Sequence, residues 1–155
     1  MKPRKLSIYS MLAATALALA AIPAASSAAD GVKAAQVKKA HHKQKVIFQV
    51  SDNDPKKWNL ALNNAKNVQE DLGKKNVDIE IVAYGPGLPM LQLDSAVGGR
   101  VQEAMDDGVK VVACENTMAK QKLTRDDMLP NLGYAKAGVV ELAKKQSQGY
   151  AYIRP

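Results

Sequence analysis

The chain has 155 residues, 22 Lys+Arg against 15 Asp+Glu, a formal net charge of +7, one cysteine and two histidines. The basic excess is confined to the N-terminal part, so it does not imply a nucleic-acid-binding surface. One cysteine excludes an internal disulfide framework, and with only two histidines no metal-ligand pattern is present.

Met1-Lys2-Pro3-Arg4-Lys5 is a positive segment, followed by an uncharged apolar stretch from Leu6 to Ile22 and small residues from Ala24 to Ala29. That order is the signature of a cleavable secretory signal over residues 1–29. Ser27-Ala28-Ala29 puts small side chains where a signal peptidase reads, so the expected mature start is Asp30 and the expected location is periplasmic or secreted. The apolar run falls short of the about 20 residues a membrane anchor needs, and nothing later in the chain is apolar enough to span. No cysteine follows the small residues, which argues against lipid attachment. Cleavage removes Lys2, Arg4 and Lys5, three of the 22 basic residues and none of the 15 acids, and lowers the net charge from +7 to +4.

Residues 30–44 read as a flexible basic arm: Lys33, Lys38, Lys39 and Lys43 occur with no acid between Asp30 and Asp52. Its adjacent His41 and His42 point apart and have no third histidine to complete a metal site.

Residues 45–155 are long enough for one domain with one core. Lys45 to Ser51 is a near-continuous apolar run, as in a strand buried on both faces. Asp54 and Pro55 are an N-cap and first-turn pair; Trp58, Ala61, Leu62, Ala65, Val68 and Leu72 then form a helical stripe that ends at Gly73. Val77 to Tyr84 is a second strand, and Gly85-Pro86-Gly87-Leu88-Pro89 a loop. Ala96, Val97, Val101, Ala104 and Met105 outline a second helix that stops at Gly108, before a third strand from Val109 to Cys114. A helical turn is expected from Asn116, and Thr124-Arg125-Asp126-Asp127 has the form of a capping box with Asp in place of Glu. Gly133 to Ala137 is a short fourth strand, Val139 to about Gly149 the last helix, and Tyr150 to Ile153 an edge strand.

Alternating strands and helices predict a single α/β domain with a mostly parallel five-stranded sheet and helices on both faces. A flavodoxin-like order 2-1-3-4-5 places the ligand crevice between the carboxyl ends of the first and third strands. Ser51, Asp52 and Asn53 meet Cys114, Glu115, Asn116 and Thr117 there, with Gly85 and Gly87 on the same rim. Cys114 is the catalytic candidate; Asn116, Thr117, Ser51, Asn53, Gly85 and Gly87 are binding candidates. Its place at a strand-to-helix junction suits a stabilised thiolate, whereas a buried cysteine packs equally well as a small hydrophobe. The proline-rich Gly85 loop lacks the spacing of a phosphate cradle, so no cofactor is expected.

Val46 to Ser51, Tyr84-Gly85-Pro86-Gly87-Leu88, Ala113-Cys114-Glu115-Asn116-Thr117-Met118, Gly138 to Leu142 and Gln148 to Pro155 together resemble the DsrE/DsrF-like family. The resemblance covers residues 45–155; the Ala-Cys-x-Asn-Thr-Met segment resembles a less characterised branch rather than the relay subunits, and the N-terminal signal makes this an exported member. It implies a parallel five-stranded sheet, assembly into a homo-oligomer (trimer or hexamer), and sulfur transfer through a cysteine persulfide. Cys114 is the one residue that fits that role, with a donor or acceptor protein as partner. Two other readings are a non-catalytic oligomeric module that binds a small ligand or partner, and a thiol redox sensor.

Overall fold

The computed structural model describes residues 43–155; the expected signal over residues 1–29, and residues 30–42 with both histidines, lie outside the described part. Strands β1 (Gln44–Val50), β2 (Val77–Ala83), β3 (Lys110–Cys114), β4 (Gly133–Ala135) and β5 (Ala151–Ile153) form one sheet, and every pairing in it is parallel. Helices α1 (Pro55–Leu72), α2 (Gly98–Asp106), α3 (Glu115–Gln121) and α4 (Gly138–Ser147) connect them.

Local chemistry explains the element boundaries. The Asp54 carboxylate accepts the Lys56 N–H at 2.8 Å, Pro55 opens α1, and Gly73 ends it at φ 85°. Trp58 is buried and donates its indole N–H to the Asp52 carbonyl at 2.7 Å, which fixes the entry into α1. The Thr124–Asp127 capping box forms as expected around a one-turn 3-10 segment, Arg125–Asp127. The Gly85–Pro89 segment is not an open loop: Gly85–Leu91 is 3-10 helical and buries Gly87, Leu88, Met90 and Leu91.

The strand order is β4-β3-β2-β1-β5, which corrects the expected 2-1-3-4-5. β2 lies between β1 and β3, so no crevice opens between those two strands. Three successive crossovers step in one direction from β1 to β4, and the fourth returns across the whole sheet to β5 beside β1. Right-handed connections then require the first helices on one face and α4 on the other. The packing agrees. The larger core joins Val46, Phe48 and Val50 of β1, Ile79 and Ile81 of β2 and Val111 of β3 to Trp58, Leu62, Ala65, Val101 and Met118. The smaller core on the α4 face joins Ile47, Val82 and Val112 to Leu142 and Tyr150. α4 presents Gly138 and Leu142 inward and leaves Val139 and Val140 60% and 47% exposed.

Candidate functional site

Ligand crevices in open parallel sheets form where neighbouring strands send their carboxyl-end connections to opposite faces. In this order that point lies between β3 and β4: the chain leaves β3 into α3 on the larger-core face and leaves β4 into α4 on the other. Cys114 is the last residue of β3 and pairs in register with Ala135 of β4. The corrected topology moves the crevice and leaves Cys114 in it.

Cys114 is a free thiol, 4% exposed. Its side chain points to the α4 face, and its Sγ accepts the N–H of Gly138, the first residue of α4, at 3.2 Å. The Thr117 hydroxyl and the backbone N–H groups of Thr117 and Asn116, in the first turn of α3, also favour the thiolate form of this sulfur. The Asn116 N–H is shared with the Lys136 carbonyl at 3.1 Å, which ties the two helix starts together. Thr117 Oγ1 accepts the Gly85 N–H at 2.9 Å, so its own proton is free for the sulfur. Burial is the largest single influence on the thiol and raises its pKa. The donors from Thr117, Gly138 and Asn116 together outweigh it, and the net result lies below the ordinary cysteine value. Glu115 does not oppose this, because its carboxylate pairs with Arg125 at 3.1 Å, and that guanidinium lies 4.2 Å above the Tyr134 ring.

Tyr84 follows β2 and stands next to Cys114 on the same face, since Ala83 pairs with Ala113. A Cβ on Gly138 would sit 2.8 Å from the Tyr84 Cβ, so glycine is needed for α4 to begin this close to the sheet. Burial, and then Tyr152, raise the Tyr84 pKa, which keeps its hydroxyl protonated at neutral pH; Arg154, Gln49 and Ser51 oppose the shift without cancelling it. Tyr84 and Gly138 are the site residues the sequence reading missed. A glycine opening the last helix was the available signal for Gly138, but nothing local connects it to a cysteine 24 positions earlier.

The expected set divides. Cys114, Asn116, Thr117 and Gly85 come together. Ser51 does not reach the sulfur, because β2 intervenes; it accepts a hydrogen bond from Gln49 at 2.9 Å on the far side of Tyr84. Asn53 is exposed in the turn before α1, and the neighbouring Asp52 pairs with Lys57 at 3.1 Å and Arg154 at 3.5 Å. Gly87 is structural: a Cβ there would lie 2.5 Å from the Val50 carbonyl oxygen. Among the described residues, no three His, Cys, Asp or Glu side chains gather as a metal site, and no helix is long and apolar enough to cross a membrane.

The chain is similar over its whole described domain to proteins of known structure. A protein of unknown function from Methanobacterium thermoautotrophicum is 34% identical, with a TM-score of 0.70, over 73% of this chain and 100% of that one. A conserved protein of unknown function from Bacteroides thetaiotaomicron is 14% identical, with a TM-score of 0.59, over 72% of this chain and 95% of that one. The ychN protein of E. coli is 12% identical, with a TM-score of 0.58, over 74% and 99%. The last two likenesses concern the fold alone. No curated protein matches the chain. The DsrE/DsrF-like family model matches residues 44–155, and with that match and the 34% identical relative the chain belongs to the DsrE/DsrF-like family, which is associated with sulfur relay.

Proposed function

We propose that the protein handles sulfane sulfur through a persulfide on Cys114, outside the cytoplasm, after removal of residues 1–29. The observation that carries this reading is the convergence of α3 and α4 on one sulfur, with the Gly138 N–H at 3.2 Å and the Thr117 and Asn116 donors beside it. A cysteine that merely fills space packs as a small hydrophobe and does not require several donors. A thiolate does, and so does the anionic state to which the sulfur returns after each transfer.

In the loading step the Cys114 thiolate attacks the outer sulfur of a donor persulfide. The donor S–S bond breaks, its thiolate leaves, and a new S–S bond forms on Cys114 with no net oxidation. Thr117 and the helix N–H groups hold the attacking anion. Incubation with a sulfane donor should add the mass of about one sulfur atom to the intact protein, and Cys114→Ser should abolish the gain. A folded protein whose Cys114 resists both sulfuration and small alkylating agents would refute the reading. The homo-oligomer implied by the family resemblance belongs to the same proposal, and light scattering tests it.

A further inference from the structure

We propose that the groove between β4 and α4 docks an extended acidic segment of the protein that exchanges sulfur with Cys114; this rests on the sulfur-handling reading above. β4 is an edge strand, and such strands leave backbone N–H and C=O groups available to a further strand. The groove beside it has a volume of about 320 Å³ and is lined by Ala135, Lys136, Ala137, Val140 and Lys144 together with Glu141. Ala135 is the register partner of Cys114, so the groove lies one strand beyond the reactive sulfur and runs up to the start of α4 that covers it.

The charge of the groove selects the occupant. Lys136 and Lys144 are exposed and have no acidic partner among the described residues. The one acid in the lining, Glu141, is engaged with Lys145 at 3.6 Å. Val140 supplies an exposed apolar contact on the same wall. A segment alternating acidic and apolar side chains therefore matches both the strand edge and the lysines. A second copy of this chain, docked about a twofold axis, would set these lysines against each other. Once the segment is docked, its cysteine thiolate attacks the outer sulfur of the Cys114 persulfide. The Cys114–sulfur bond breaks, Cys114 leaves as the thiolate, and the sulfur is then bonded to the partner, again without net oxidation.

The test uses Cys114→Ser protein and fluorescent peptides without cysteine, one of alternating Glu and Val and one of alternating Lys and Val. Anisotropy should show binding of the acidic peptide alone. Lys136→Glu with Lys144→Glu should weaken that binding about tenfold or more, with only a small fall in melting temperature, because both side chains are exposed and Lys144 lies in the last turn of α4. Equal binding of the two peptides, no binding of either, or no effect of the double charge reversal overturns the proposal. A fall in the mass of the double variant by light scattering assigns the groove to a second copy and overturns it as well. Because the binding arm contains no thiol, a failure of Cys114 to accept sulfur refutes the chemistry independently of these outcomes.

Discussion

The donors around Cys114 act by discriminating between its two protonation states, so their removal has a measurable sign. Thr117→Val keeps the side-chain shape and removes the hydroxyl that links Gly85 to the sulfur. A hydrogen bond to a charged group contributes about 1.5–3 kcal/mol, so the thiolate should be harder to form by about one pKa unit or more. The pH profile of alkylation should shift upward, and the rate at neutral pH should fall about tenfold. The stability consequence follows from the depressed folded-state pKa. Hydrogen bonding to the thiolate contributes fully above the pKa of the unfolded thiol and is lost as pH falls through the lower folded value. The stability difference between the parent protein and Cys114→Ser should therefore shrink as pH falls, as urea titrations at several pH values would show. If the difference is constant with pH, the thiolate is not what these donors stabilise.

Gly138 offers a second check at the same scale. An alanine there collides with the Tyr84 Cβ and forces the start of α4 away from the sheet, at a cost of about 1–3 kcal/mol. The same shift lengthens the Gly138 N–H contact to Cys114 and should raise the thiol pKa. In a Tyr84→Gly background the clash is absent, and Gly138→Ala should cost distinctly less, a coupling that a double-mutant cycle by urea unfolding would measure. Additive effects would mean that the ring does not set the position of the helix.

At the scale of elements, α4 depends on few apolar contacts, since only Leu142 and its neighbours pack onto Ile47, Val82, Val112 and Tyr150. An ion pair compensates: Lys145 Nζ lies 2.5 Å from Glu80 Oε2, with Glu80 2% exposed and its Oε1 without a hydrogen-bond partner. Burial lowers the Lys145 pKa, but Glu80, with Tyr150 and Glu141, raises it more, and the net shift is upward. Lys145→Met leaves a buried carboxylate uncompensated and should destabilise by about 3–5 kcal/mol, whereas adding Glu80→Leu should recover most of the loss. Chemical denaturation of the two variants decides it; equal losses would mean that the pair is not the tether of α4. With a raised folded pKa, the Lys145 contribution is present at neutral pH and is lost only as pH rises through that value.

These elements also show what was readable in the residues. The five strands and four α-helices were legible, because apolar runs, the Asp54-Pro55 start, Gly73 and the Thr124–Asp127 box are local signals, whereas the 3-10 helix Gly85–Leu91 read as a loop. The order of strands was not local. Both 2-1-3-4-5 and the observed 4-3-2-1-5 allow right-handed crossovers, and the choice depends on whether β3 pairs with β1 or with β2 and on which edge receives β5. Pairing β3 with β1 put Ser51 and Asn53 beside Cys114, and placing β5 on the wrong edge left out Gly138, which reaches the sulfur only because α4 crosses the opposite face. Cys114, Asn116 and Thr117 survived the error because they are adjacent in sequence at a single strand-to-helix junction.

For the whole molecule, the proposed export and the burial of Cys114 bear on each other. A secreted protein with one cysteine risks pairing with a second copy in an oxidising compartment. At 4% exposure, beneath the start of α4 and beside Tyr84, the sulfur is screened from a bulky partner that approaches without docking. Two outcomes follow when the full-length chain is expressed in a Gram-negative host. The recovered protein should begin at Asp30, by N-terminal sequencing, and a charge placed in the apolar stretch, as in Leu17→Arg, should leave the precursor uncleaved. Non-reducing electrophoresis of the mature protein under mild oxidant should show no covalent dimer, whereas unfolding in urea under the same oxidant should produce one as the screen is lost. A dimer formed equally in both states would mean that the fold does not guard the thiol, and would favour a redox-pairing role for Cys114 over sulfur handling.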